Sequence, residues 1–161
     1  AAIAMCALLS TTFAVAEPQR GGEGGGGGQR VAQPRDGGGG PVGWRDVASV
    51  AASVGVDGDP VVRQLIARLA TREMIQRWLV YRVRTALVQG RPPGPEASML
   101  KIMGSELQQA LTEATMHALG HEAAPYPQAA TGRYLNFRKA SIYAGSNEIQ
   151  RNIITRHLLG F

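Results

Sequence analysis

Five residues, Arg91-Pro92-Pro93-Gly94-Pro95, separate two long stretches of helical periodicity, and that junction limits the folds open to the chain. Upstream, Asp59 is a good N-cap and Pro60 suits the first helical position, where its missing N–H costs nothing. From there to Gln89, Val62, Leu65, Ile66, Leu69, Ile75, Leu79, Val83 and Leu87 form a broad apolar stripe. Arg63, Arg68, Arg72, Arg77, Arg82 and Arg84 fill the other faces. Gly90 ends the helix. Downstream, Met99, Ile102, Met103, Leu107, Ala110, Leu111, Ala114 and Ala118 mark the buried face of a second helix over 98–119, with Gly120 at C′. So short a turn cannot cross a helix length of roughly 30 Å, so the two helices must run antiparallel. No strand-like alternation occurs anywhere. The remaining helices complete a bundle, so the expected fold is all-α.

Shorter helices are expected over 44–54, 133–142 and 147–159, the last with Ile149, Ile153, Ile154 and Leu158 facing inward. Residues 1–17 can form an apolar helix that stops at Pro18. The tract from Gly21 to Pro41 has almost no apolar side chain to bury and high backbone entropy, so a Gly-rich flexible loop is expected over 18–43. The bundle domain proper is then 44–161. The stretch 3–16 also imitates the apolar part of a signal peptide, but it lacks a basic leader and an initiator Met. Because the first residue is Ala, the sequence is expected to be a processed chain or a piece of a longer one.

With 161 residues the chain is long enough for one domain with a real core. Net charge is +5, yet the excess is Arg scattered along helices, with no basic block and no interleaved aromatics. That pattern does not support a nucleic-acid surface. Cys6 is the single cysteine, which leaves no disulfide framework and makes a reducing, cytoplasmic setting the default. His117 and His121 are four apart, but Gly120 lies between them and no carboxylate completes a metal site, so a helix end is the better reading. No run of about 18 apolar residues exists to span a membrane.

The chemistry concentrates in Tyr143-Ala144-Gly145-Ser146-Asn147-Glu148-Ile149-Gln150-Arg151. Ser146 is a preferred N-cap, Gly145 permits a sharp entry, and Glu148 puts negative charge in the first helical turn. Capping alone accounts for these residues. The same free N–H groups, hydroxyl and close-approach glycine can also hold an anion or a planar polar ring. Spacing leaves both uses open.

The stretch resembles the C-terminal signature of the acyl-CoA dehydrogenases, flavin enzymes that desaturate acyl-CoA thioesters. The match falls on Tyr143, Gly145, Ser146, Glu148, Ile149, Gln150 and Arg151. The long helical stretches from Asp59 and from Gly94, with their Pro/Gly turn, are similar to the family's C-terminal domain. The resemblance implies an antiparallel four-helix bundle that follows a central β-domain, with residues 1–17 as its first bundle helix. The resemblance covers about 59–161. It implies FAD as cofactor, an acyl-CoA substrate, and assembly as a homo-oligomer or with another subunit of the family. It places Ser146, Glu148 and Gly145 beside the flavin, Tyr143 and Gly145 beside the acyl thioester, and a second flavin contact at His117. The Gly120-His121-Glu122-Ala123 turn after His117 departs from the family's Gly-rich form.

In many members the residue after the Tyr is a Glu that removes the α-proton of the thioester. Here it is Ala144, whose methyl group accepts no proton. No catalytic residue is therefore assigned. The expected function is the C-terminal domain of an FAD-dependent acyl-CoA dehydrogenase, inactive as an isolated chain. The alternative is a non-catalytic helical subunit or oligomerisation module that kept the fold.

Overall fold

The computed structural model describes residues 41–123 and 129–160. The expected first helix over 1–17, nearly all of the Gly-rich stretch, and Pro125 and Pro127 lie outside the described residues. Within them are five helices and no strand: α1 (Trp44–Ser53), α2 (Pro60–Val88), α3 (Glu96–Leu119), α4 (Ala129–Phe137) and α5 (Asn147–Leu159). Short 3₁₀ turns, Gly120–Ala123 and Arg138–Ser141, follow α3 and α4. The all-α expectation holds.

Helix α2 starts where the sequence signals it. The Asp59 carboxylate accepts from the Val61 N–H at 2.7 Å and Pro60 occupies the first position. α3 begins two residues before the expected Ser98, directly after Pro95. Arg82 of α2 and Glu96 of α3 approach to 3.3 Å across the hairpin. α4 begins four residues before the expected Arg133, and its C-terminal part tightens into the 3₁₀ turn that ends at Ser141.

The packing order confirms the antiparallel hairpin. Val80 and Val83 of α2 meet Leu100 near the start of α3, whereas Leu69 meets Leu107, Leu111 and Ala114 further along it. Between these clusters Gln76, 3 % exposed, lies over Gly104. A Cβ on Gly104 would sit 2.8 Å from the Gln76 amide nitrogen, so glycine is what lets the helices approach here. α1 closes one end: Val47 joins the Leu111 cluster, and Val50 and Ala51 pack with Ala118. The Gln108 side chain holds the entry to α1, accepting from the Val42 N–H at 2.9 Å and donating to the Val42 carbonyl at 3.0 Å. Glu73 accepts from the Trp44 N–H at 3.0 Å. α3 packs against each of the other four helices and is the hub of the fold.

The expected inward faces need correction at several positions. Ile149, Ile153 and Leu158 of α5 are exposed, as are Ile75 and Leu87 of α2 and Met99 of α3. Ile154 is half-buried, and the one fully buried residue of α5 is Asn147. The reason is that α5 packs chiefly on α3 and does so through polar side chains. Apart from Ile154, its large apolar residues stay exposed.

Candidate functional site

The segment leading to α5 is tied to α3 before it reaches the motif. The Gln109 amide donates to the carbonyls of Phe137 and Arg138 at 3.3 and 3.2 Å. Arg138 answers by donating to the Gln109 carbonyl at 2.7 Å, with its guanidinium over the Tyr134 ring. The 3₁₀ turn is thus clamped from both sides, and the Ile142 and Tyr143 N–H groups donate back to the Lys139 carbonyl.

The chain then reverses through two left-handed residues. Ala144 has φ +57° and Gly145 φ +88°. Glycine takes this region freely, but alanine crowds its Cβ against the carbonyl, at a cost of roughly 1–2 kcal/mol. A Cβ at Gly145 would in addition meet the Gln150 amide at 2.6 Å. Ala144→Gly should therefore raise the unfolding free energy by about 0.5 kcal/mol, the strain relief being offset in part by the greater freedom of glycine in the unfolded chain. Chemical denaturation of the two chains checks this; a destabilised variant contradicts it.

Ser146 returns to extended backbone and caps α5, its hydroxyl accepting from the Ile149 N–H at 3.4 Å. Next comes Asn147, 4 % exposed. Its side-chain carbonyl accepts from the Lys101 ammonium at 2.9 Å and from the Ser105 hydroxyl at 3.1 Å, both on α3. One turn on, Arg151 lies 2.9 Å from Glu106 of α3 and 3.7 Å from Glu148. The start of α5 is therefore laid on α3 by an amide, two cations, a hydroxyl and the Glu106 carboxylate, while Glu148 pairs with Arg151 within α5.

Hydrogen bonds from its own main-chain N–H and from the Ser146 hydroxyl hold the Glu148 carboxyl below the usual range, helped by Arg151 and Lys101. Burial lowers the Lys101 ammonium, and the Glu148 charge opposes that shift. A carboxyl lowered by folding stabilises the fold above its unfolded pKa, and that contribution is lost as pH falls through the folded value. Acidification below the ordinary carboxylate range should thus fray the first turn of α5, and Glu148→Gln should remove that pH dependence. Amide hydrogen exchange at Ile149 against pH reads both.

Of the residues singled out from sequence, Tyr143, Gly145, Ser146 and Glu148 come together on one exposed edge, with Ala144 between the first two. His117 does not join them. It is exposed on the last turn of α3, about 18 Å along that helix from Ser105. His121 is exposed on the following 3₁₀ turn. Among the described residues no cluster of three metal-ligating side chains occurs, and no helix is long and apolar enough to cross a membrane. A shallow recess lined by Asp46, Thr112, Thr115 and Arg133 lies elsewhere, between α1, α3 and α4. Sequence reasoning missed Lys101, Ser105 and Asn147. The only signal was a polar residue between Ser146 and Glu148, because the α3 partners lie more than 40 residues away in sequence.

A family profile described as "Acyl-CoA dehydrogenase, C-terminal domain" matches residues 49–159, from within α1 to the end of α5. The chain belongs to the acyl-CoA dehydrogenase family. It is 34% identical over 83 residues to the short-chain specific acyl-CoA dehydrogenase, mitochondrial, of Bos taurus, a match covering 52% of this chain and 20% of that protein. The fold is similar to that in the FAD complex of PigA, with TM-score 0.60 and 20% identity over 71% of this chain and 34% of that one. A structure described as "Electron transferring flavoprotein of Acidaminococcus fermentans: Towards a mechanism of flavin-based electron bifurcation" also scores 0.60 at 20% identity, over 72% of this chain and 36% of that one. The chain thus spans a fifth of its bovine relative and about a third of these two structures.

Proposed function

We propose that this chain acts as the C-terminal bundle of an FAD-dependent acyl-CoA dehydrogenase and supplies one edge of the flavin and thioester site. The observation that carries this reading is the exposed reversal at 143–146, leading into a capped helix start fixed from beneath by Asn147. Exposed backbone at Gly145 and, on exchange of their mutual capping bonds, the Ser146 hydroxyl and first α5 N–H groups would be the donor set that suits the polar edge of a planar ring. The residues present therefore fit the flavin as one wall of a site and not as a whole one. A β-domain, in the same or a partner polypeptide, has to provide the rest.

When bound, FAD supplies acceptance of hydride from the β carbon of the thioester. The roles proposed for this chain's own residues are narrower. Ser146 and Glu148 would orient the cofactor while capping α5, with Gly145 allowing close approach. Tyr143, 47% exposed, would border the acyl group. His117, distant along α3, would serve a separate part of the extended cofactor. Ala144 provides no base, and Glu148 is engaged by its own N–H, Ser146 and Arg151. The α-proton would then be taken by a residue elsewhere in the assembly, which fits assembly with another subunit of the family.

The exposed apolar residues of α5 support such assembly, since a solvated helix face carrying Ile149, Ile153, Leu158 and Leu159 gains by being covered. The test is substrate-dependent bleaching of flavin. The chain assembled with its β-domain should bleach with an acyl-CoA of suitable length, while the isolated chain with added FAD should not. Turnover by the isolated chain would overturn the proposal, as would an assembled protein that holds no flavin. The latter result would favour a non-catalytic helical subunit.

A further inference from the structure

We propose that Lys101 is the positioning residue of the α5 edge, the group whose hydrogen bond sets where Ser146 and Glu148 lie. Its role toward a cofactor rests on the function proposed above; its role in placing α5 does not. Asn147 is the first residue of α5 and is nearly fully buried, so fixing its side chain fixes the main chain on both sides of it. Two α3 donors reach its side-chain oxygen, and they are not equivalent. The Ser105 hydroxyl has one hydrogen and two acceptors, the Ile102 carbonyl at 2.9 Å and Asn147 at 3.1 Å, and the nearer is the carbonyl of its own helix. The Lys101 ammonium has three hydrogens, and it makes the shorter bond to Asn147, 2.9 Å, with charge behind it.

Geometry adds a second argument. Lys101 and Ser105 are four residues apart on α3 and lie on one face beneath the start of α5. Among the described residues no apolar core cluster reaches this end, and Ile149 and Ile153 stay about half exposed. Arg151 to Glu106 is the other direct clip, but both side chains are about half exposed, so solvent screens that pair. Lys101 is thus the principal polar anchor of the site edge, with Ser105 and the Arg151–Glu106 pair as weaker supports.

The test compares Lys101→Met, Lys101→Arg and Ser105→Ala with the wild type. In the chain itself, the Ile149 amide should exchange about tenfold faster in Lys101→Met, the effect of losing a charged hydrogen bond, with the α2 core amides unchanged. In the chain assembled with its β-domain, Lys101→Met should weaken FAD binding by about tenfold. Lys101→Arg, which keeps charge and donor, should recover most of that loss, and Ser105→Ala should lose less than Lys101→Met in both exchange protection and FAD binding. Wild-type exchange in Lys101→Met overturns the inference. So does a Ser105→Ala variant that loses protection and FAD as fully as Lys101→Met, because Ser105 would then be the anchor. If the wild-type assembly holds no FAD while exchange responds as expected, the functional reading fails and the anchor stands.

Discussion

Leu111→Ala lowers the unfolding free energy by about 3 kcal/mol, the middle of the range for a leucine removed from a closed core. Leu111 has no exposed surface and sits where α1, α2 and α3 meet, among Val42, Val47, Leu69, Leu107 and Ala114. Three separate segments line the space the side chain leaves, so no one of them can relax into it. Ile153→Ala on the exposed face of α5 gives the contrast, with a change within about 0.5 kcal/mol in the isolated chain. Denaturant unfolding of the two variants reads the difference. Equal losses would mean that α3 is not the hub the packing describes.

Gln108→Ala should cost nearly as much, about 2–3 kcal/mol, for a different reason. Gln108 is 8 % exposed, and its amide satisfies both the N–H and the carbonyl of Val42. Truncation leaves two buried main-chain groups without partners, each of which then bears its desolvation cost. The loss should localise, with amides of α1 exchanging faster than those of the α2–α3 hairpin. A variant that unfolds as the wild type does would show that water replaces the amide at Val42 freely.

Much of this architecture was legible in the sequence because it is local. Asp59 and Pro60 mark the start of α2, and Ser146 marks that of α5, through hydrogen bonds made within a few residues. The antiparallel hairpin followed from the length of the Pro/Gly turn. Positions such as Ile149, Ile153, Ile75 and Met99 were misplaced because periodicity says which residues share a face and not what covers it. α5 meets α3 through Asn147 and Arg151, and apart from Ile154 its large apolar residues stay exposed. The site followed the same divide. Tyr143, Gly145, Ser146 and Glu148 stand in one motif, whereas Lys101 and Ser105 act from another helix with no local pattern to betray them. Gln76 was hidden likewise, a polar residue buried because Gly104 opposes it.

Ala144 remains the residue that most shapes the functional account. It keeps a left-handed backbone that glycine would adopt more cheaply, in a position where its methyl group can take no proton. The edge built around it is proposed to hold and orient, with proton removal left to another residue.

The most direct measurement is amide hydrogen exchange of the chain assembled with its β-domain, with and without FAD. If the α5 start faces the flavin, bound FAD slows exchange at 145–150 and leaves α1 unchanged. Slowing confined to other parts of the chain, or none at all over 145–150, contradicts the account.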